Sequence, residues 1–320
     1  MRATFGQEVS LIVHKEESAT EVFDAKNLRV DFDIRLLDGF SRGTVTIYNL
    51  SNETIKAISS GGNYVTLKTK LHGKDENTIA NSFYISNVME EKKIPNSVTT
   101  LYCFDKLRKQ YLEKPVDIRV PNPTLRKEIS QIMAHIGYRG EVSYHSFPSG
   151  RVDQASGRKV SVHQEVAQNC ITSLQNTYKF KFYTKPTGMG LMYLPSLDEL
   201  VYTTLNRRYA DVKLHVENMR SNPVIGVASL LITSNLDGGI KPTSVVDISD
   251  LVTHTVGTDE VTLQLASGFL QDNVDGFSKY QVLTVQHKGS NYTNDWHTIA
   301  TCTAPSKGKV MPPRSWHRGK

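Results

Sequence analysis

The run LRVDFDIRLLDGFSRGTVTIYNLSNETIKAI, residues 28–58, constrains the fold more than any other stretch. Leu28, Val30, Phe32, Ile34 and Leu36 alternate with Arg29, Asp31, Asp33 and Arg35, the period-2 pattern of a half-buried antiparallel strand. Asp38-Gly39 opens a turn, and Gly43 closes it before a second strand, Thr44 to Leu50. Asn49-Leu50-Ser51 stops that strand, and Ser51 or Asn52 caps a short helix carrying Ile55 and Ile58. The acids and arginines of the first strand form a charged strip, suited to solvent or a neighbouring subunit rather than to acid–base work.

The rest of the chain divides into three regions. Strand patterns at Val9–Val13, Asn63–Leu71, Phe83–Val88 and Ser97–Phe104 join the opening hairpin as an antiparallel barrel or sandwich. After a boundary between Phe104 and Pro115 the composition changes. Thr124 precedes an amphipathic helix, Leu125 to Ile136, with Gly137 as its stop and His135 placed to meet its last carbonyls. The Ser-, Gly- and Arg-rich run from Tyr144 to Lys159 reads as a long exposed loop. A second helix is expected over Val162–Thr177, then strands Lys179–Thr184 and Gly190–Leu194. From Asp211 strand patterns return, at Val212–Val216, Val227–Thr233, Ser244–Ile248, Val261–Leu265, Tyr280–His287 and Trp296–Thr303. From Pro305 a basic segment with two further prolines reads as extended or disordered. The expected class is α+β, mainly β, with units at 1–112, 113–208, 209–303 and a basic tail at 304–320.

With 320 residues, 38% hydrophobic and 22% charged, the chain has the composition of a multi-domain globular protein. No run of about 18 apolar residues suggests a membrane-spanning helix, and the N-terminus lacks a signal-peptide pattern, so a cytoplasmic origin is expected. Cys103, Cys170 and Cys302 are odd in number and far apart, which argues for buried free thiols rather than disulfides or zinc. The net charge of +6 owes much to Lys307, Lys309, Arg314, Arg318 and Lys320 in the tail, read as a solvated segment. No metalloprotease, nucleophile-elbow, P-loop or dinucleotide motif is present. His287 and His297 flank a turn with Asp295, but read better as structural histidines than as metal ligands. Arg151, Arg158, Lys159, Arg207 and Arg208 could meet phosphates, yet no aromatic residues are interleaved with them. No enzyme, metal or cofactor is expected.

A strand ending in IYNLS and followed by a short Ile-bearing helix resembles the first domain of phage baseplate hub proteins, which join the tail tube to the central spike. PTLRKEISQIMAHIGY resembles the helix opening that family's inserted domain. SNPVIGVASLLITSNLDGGIKPTSVVDIS and GFSKYQVLTVQHKGSNYTNDWHTIATC resemble its closing β region, in the expected order. The resemblance implies two tail-tube-like antiparallel β-barrel domains flanking a small α/β insertion. It also implies a homotrimer whose pseudo-sixfold ring matches a hexameric tube above and a trimeric spike below.

Expected partners are thus a second and third copy, tail tube protein, central spike protein and baseplate wedge proteins, with transient contact to DNA or tape measure protein in the channel. The expected location is the phage tail of the virion, after assembly in the host cytoplasm. Candidate interface residues are Asp38, Gly39, Phe40, Ser41 and Arg42 in the first turn, and Lys288, Gly289, Ser290, Asn291, Tyr292 and Asp295 in the last. The alternative reading is a β-barrel binding module for nucleic acid or carbohydrate.

Overall fold

The computed structural model describes residues 7–15, 21–25, 27–37, 39–61, 63–71, 76–93, 95–138, 140–145, 147, 150–155, 160–185, 188–193, 210–225, 229–251, 254–255, 279–293 and 295–303. The expected strand Val261–Leu265 and the tail 304–320 lie outside them.

The first region contains β1 (Gln7–Lys15), β2 (Glu21–Asp24), β3 (Val30–Leu36), β4 (Arg42–Tyr48), α1 (Asn52–Ser59), β5 (Asn63–Leu71), β6 (Glu76–Lys93) and β7 (Asn96–Asp105). The alternation on β3 becomes real burial, with Val30, Phe32, Ile34 and Leu36 inside and Asp31, Asp33 and Arg35 outside. Ser51 caps α1 by accepting from the Thr54 N–H at 3.1 Å, and Ile58 is the side chain that helix buries.

The middle region holds α2 (Leu107–Glu113), β8 (Pro115–Val120), α3 (Leu125–His135), β9 (Glu141–His145), β10 (Val160–Val166), α4 (Ala167–Tyr178), β11 (Phe180–Lys185) and β12 (Gly188–Tyr193). Thr124 caps α3 through the Lys127 N–H at 3.2 Å. Gly137 ends the helix at φ +78°, a left-handed conformation that costs glycine little. His135 Nδ1 lies 2.9 Å from the Gln131 carbonyl, in the capping role expected of it.

Two expectations are corrected here. The helix expected from Val162 starts only at Ala167, because Val160 and Val162 are taken into β10, which pairs with β8. β-Branched residues fit that pleated ladder, which passes through a register shift with Gln164 at φ +50° and resumes at Glu165 and Val166 before the helix begins. The loop expected from Tyr144 begins as strand instead, since Tyr144 and His145 complete β9 in parallel pairing with β12.

The third region comprises β13 (Val212–Lys213), a 3-10 turn at Val216–Asn218, β14 (Val224–Ile225), β15 (Ser229–Asn235), β16 (Val245–Asp247), β17 (His254–Thr255), β18 (Lys279–Ser290) and β19 (His297–Thr303). The strand expected over Val212–Val216 therefore stops at Lys213.

The first and third regions share one sheet. Its order is β17-β14-β15-β19-β18-β3-β4-β7-β6-β5-β1-β2, with β16 and β13 branching from β18. Among the described residues this path has two open ends. β18 and β3 run antiparallel from Val285–Leu36 to Ser290–Asp31, and one apolar core continues beneath both regions, from Leu11, Val65 and Leu101 to Leu230, Ile232 and Trp296. Each such fully buried side chain contributes about 1.5–3 kcal/mol. The middle region has a second core, built around Ile129, Ile132, Ile171 and Leu191, to which α2 contributes Leu107 and Tyr111.

Candidate assembly surface

The two turns singled out in the sequence lie at opposite ends of β3. In the first, Asp38 lies outside the described residues. Gly39, at φ +84°, donates its N–H to the Phe182 carbonyl at 2.7 Å and accepts from the Thr184 N–H at 3.2 Å. Ser41 is 1% exposed, donates its N–H to the Thr184 hydroxyl at 3.0 Å, and its own hydroxyl donates to the Thr184 carbonyl at 3.2 Å. Phe40 stands edge-on to Tyr111 at 4.7 Å and to Phe182 at 5.3 Å. Gly39, Phe40 and Ser41 thus hold the middle region against the sheet within one chain, and Arg42 is the member of this turn left exposed.

Asp105, at the end of β7, completes the junction. Its N–H donates to the Ser41 carbonyl at 2.9 Å, and its carboxylate accepts the Leu107 N–H at 2.9 Å at the start of α2. Burial pushes its pKa up to about 6, against the opposing pull of the Leu107 N–H, the Thr184 hydroxyl and the Lys106 charge.

The last turn clasps β18 to β3. Asn291 donates its side-chain amide to the Leu28 carbonyl at 2.7 Å and accepts the Val30 N–H at 2.8 Å. Ser290 is buried and donates its hydroxyl to Asp31, and the Trp296 indole N–H donates to the Ser290 carbonyl. Gly289 faces Phe32 so closely that a Cβ would lie 2.5 Å from its ring. Tyr292 is 62% exposed and Asp295 is also exposed, so these two present the outer side of the turn.

Between the turns, the charged strip is a cross-strand ladder. Arg29 pairs with Asp31 at 3.1 Å and lies over the Tyr48 ring at 4.2 Å and the Tyr292 ring at 5.1 Å. Asp33 receives Arg35 at 3.1 Å and the Gln286 amide at 2.8 Å, with Lys288 at 4.0 Å. Burial alone would raise Asp33, but the hydrogen bonds from Arg35 and Gln286 and the charges of Arg35 and Lys288 hold it below the usual carboxylate range. Arg42 stands directly across from Arg35 on one side and Phe104 on the other. A groove of about 280 Å³ opens among Asp33, Arg35, Arg42, Thr44, Tyr102 and Phe104.

The histidines part company. His287 is fully buried, 2.9 Å from the Thr298 hydroxyl, and burial lowers its pKa to about 3 with help from Lys241. His297 lies on the other face of the sheet, 2.8 Å from Asp295. Among the described residues no three His, Cys, Asp or Glu side chains gather to hold a metal. Cys103, Cys170 and Cys302 are buried free thiols. Of the five cations first considered for phosphate contact, Arg151 is described; Arg158, Lys159, Arg207 and Arg208 lie outside the described residues. The sequence reading missed the Asp105–Ser41–Thr184 junction and the Asn291 clasp. Small polar residues next to Gly39 and Gly289 were the available signal, but their partners lie 143 and 261–263 positions away.

No protein-family model matches the chain, and no curated protein matches its sequence. Solved structures do match. The 43 kDa tail protein of prophage MuSo2 from Shewanella oneidensis is 8% identical over 93% of this chain and 99% of that one, with a TM-score of 0.53. The tail protein from Neisseria meningitidis MC58 is 10% identical over 95% and 98%, with a TM-score of 0.52. The E. coli c3393 protein, a component of the type VI secretion system with structural similarity to T4 bacteriophage tail proteins gp27 and gp5, is 7% identical over 93% and 77%, also at 0.52. The chain has the fold of these tail and secretion-system proteins.

Proposed function

We propose that the chain is a structural hub subunit of a phage tail or a related contractile particle, and that it works by packing rather than by catalysis. Three copies form a pseudo-sixfold ring that adapts a hexameric tail tube to a trimeric central spike. The observation that carries this reading is a fold shared over nearly the whole length of this chain and of two tail proteins. The side-by-side placement of two β regions in one sheet supports it, because each chain then offers two β units to a ring.

In this reading residues 1–112 and 209–303 are tube-like β-barrel units, 113–208 is the inserted unit and 304–320 a basic tail. Wedge proteins are further partners, and DNA or tape measure protein passes the channel. Assembly takes place in the host cytoplasm, and the finished subunit resides in the virion tail. Among the described residues Arg42, Lys288, Tyr292 and Asp295 are left to meet a neighbouring subunit, with Asp38 assigned the same role from the sequence, whereas Gly39 to Ser41 and Gly289 to Asn291 act by shaping those turns.

Light scattering across protein concentration tests this. The expected mass is three times the 35.9 kDa of one chain, and Arg42→Glu combined with Tyr292→Arg should lower it without unfolding the subunit. A monomer at every concentration, with tube and spike proteins added, would overturn the hub reading. A monomer that binds DNA at low salt would favour a binding module instead.

A further inference from the structure

The groove beside the charged strip holds positive charge that its own chain does not answer. Its walls are cross-strand rows of β3, β4 and β7, with Arg35 opposite Arg42 opposite Phe104, and Asp33 opposite Thr44 opposite Tyr102. Two arginines directly across from each other repel. Asp33 is the one acid among the described lining residues. It is already engaged by two nitrogens of Arg35, at 3.2 and 3.1 Å, by the Gln286 amide at 2.8 Å, and by Lys288 at 4.0 Å. Arg42 is exposed, and among the described residues its guanidinium and the Tyr102 and Thr44 hydroxyls have no hydrogen-bond or ion-pair partner. Other arginines differ, since Arg29 has Asp31 at 3.1 Å and Arg126 has Asp153 at 2.7 Å. The groove is therefore built to receive an anion.

Size and chemistry choose among anions. At about 280 Å³ the groove is smaller than the roughly 300–1,000 Å³ of small-molecule pockets, so it suits a side chain entering from another protein. A nucleobase would need an open aromatic face to stack on, and Arg108 already lies over the Phe104 ring at 4.0 Å. A carboxylate needs only what is free there, because a guanidinium binds it through paired N–H groups and a tyrosine hydroxyl can donate a third bond. In a ring of three copies, each contact joins one face of a subunit to a different face of the next. This chain carries acids for that second face. Glu53, Glu90, Glu113 and Glu217 are exposed and hold no ion pair among the described residues.

We propose that an aspartate or glutamate side chain of a neighbouring copy enters this groove and pairs with Arg42, with the Tyr102 hydroxyl as a further donor. The assignment deepens the hub reading and rests on it, since it names what the Arg42 turn meets on the next subunit.

Arg42→Lys keeps the charge and places a primary amine in the groove, so zero-length carbodiimide coupling of the full chain tests the proposal directly. A product of two-chain mass, absent from the parent chain, should join position 42 to an acidic residue of another copy in peptides read by mass spectrometry. Its yield should fall severalfold at molar salt, where exposed ion pairs are screened. Arg42→Gln should raise the trimer's dissociation constant about tenfold, the loss of one hydrogen-bonded charge. Arg119→Gln, which removes an exposed arginine of β8, should leave it unchanged. The urea midpoint of Arg42→Gln should hold or rise, because a like-charge pair is lost. A fall in that midpoint, or coupling confined to Asp33 or Asp38 of the same chain, would show that Arg42 is satisfied at home and overturn the proposal. Loss of the two-chain product on adding an oligo-dT strand at low salt would give the groove to nucleic acid and overturn it as well. A trimer by light scattering without the two-chain product would sink this assignment alone, whereas a monomer would sink the hub reading with it.

Discussion

The chain is held together at two seams of different construction. Where β18 meets β3, backbone hydrogen bonds run along six residue pairs, a single core lies beneath, and Asn291 and Trp296 lock one end. Where the middle region meets the sheet, Gly39 donates a backbone bond to Phe182 and accepts one from Thr184, three aromatic rings meet edge-on or tilted, and a buried carboxylate sits between two cores. The first seam makes one body out of residues far apart in sequence. The second docks one body against another. A perturbation of the first should therefore reach the whole sheet, and one at the second should stay local.

Trp296→Ala should show the largest effect. Trp296 is fully buried, packs edge-on to Phe32 at 5.9 Å, and bonds through its indole to the turn that clasps β3. The truncation should cost about 3–5 kcal/mol in urea denaturation. Hydrogen exchange should accelerate in β3 and β4 as well as in β18 and β19. Loss of protection confined to β18 and β19 would mean that the first seam does not unite the sheet.

At the second seam pH is the probe. Asp105 has a folded pKa of about 6 against 3.8 for the unconstrained group. The neutral acid is the form the fold favours, so its contribution is complete below pH 3.8 and is lost as pH rises through 6. His287 acts in the opposite sense, because its folded pKa of about 3 lies below the ordinary 6.5 and stability falls as pH drops under 6.5. Comparing Asp105→Asn with the parent chain separates the two. The variant keeps an oxygen for the Leu107 N–H and should be more stable at pH 8 by up to about 3 kcal/mol, because a tenfold change in proton affinity is worth about 1.36 kcal/mol. The gain should vanish near pH 4. An equal difference at both pH values would rule out Asp105 titration as the cause.

Phe40→Ala acts at the same seam without charge. Removing its edge-on contacts with Tyr111 and Phe182 should cost about 1–3 kcal/mol, each aromatic pair being worth about 0.5–1.5 kcal/mol. Exchange should quicken in α2 and β11 while β3 to β7 keep their protection. Faster exchange throughout the sheet would mean that the two seams are coupled.

The sequence made the first seam half legible. The alternation on β3 fixed which face is buried, because a period of two admits one inward set. The alternation on Tyr280–His287 did not, because a register shift between Val282 and Thr284 moves the inward set from Tyr280 and Val282 to Val285 and His287. Neither pattern could say that these strands pair with each other, since no local rule chooses a partner some 250 residues away. The helix α3 was legible to its cap and its glycine stop, both of which are local hydrogen-bonding devices. The start of α4 was not, because Val162 and Val166 suit a helix stripe and a strand equally and pairing with β8 decided between them. Asp105 and Ser41 gave no warning, as an Asp after a strand reads as a turn until its burial is known.

The smallest effect should come from the most conspicuous sequence feature, the charged strip. Arg35 and Lys288 both reach Asp33, yet their side chains are 45% and 40% exposed. Water and salt screen such pairs to about 0.2–1 kcal/mol. Gln286 would still donate to Asp33 if Arg35 were lost, so the carboxylate would not be left bare. Arg35→Ala should accordingly cost less than about 1 kcal/mol. In a double-mutant cycle with Asp33→Asn, the coupling should shrink further as salt rises from low to molar concentration. A coupling of several kcal/mol that resists salt would place the strip among the forces that hold β3 to β18. A small, salt-sensitive one leaves the backbone ladder and the Trp296 core to hold that seam, and leaves the strip's charges available to a neighbouring surface.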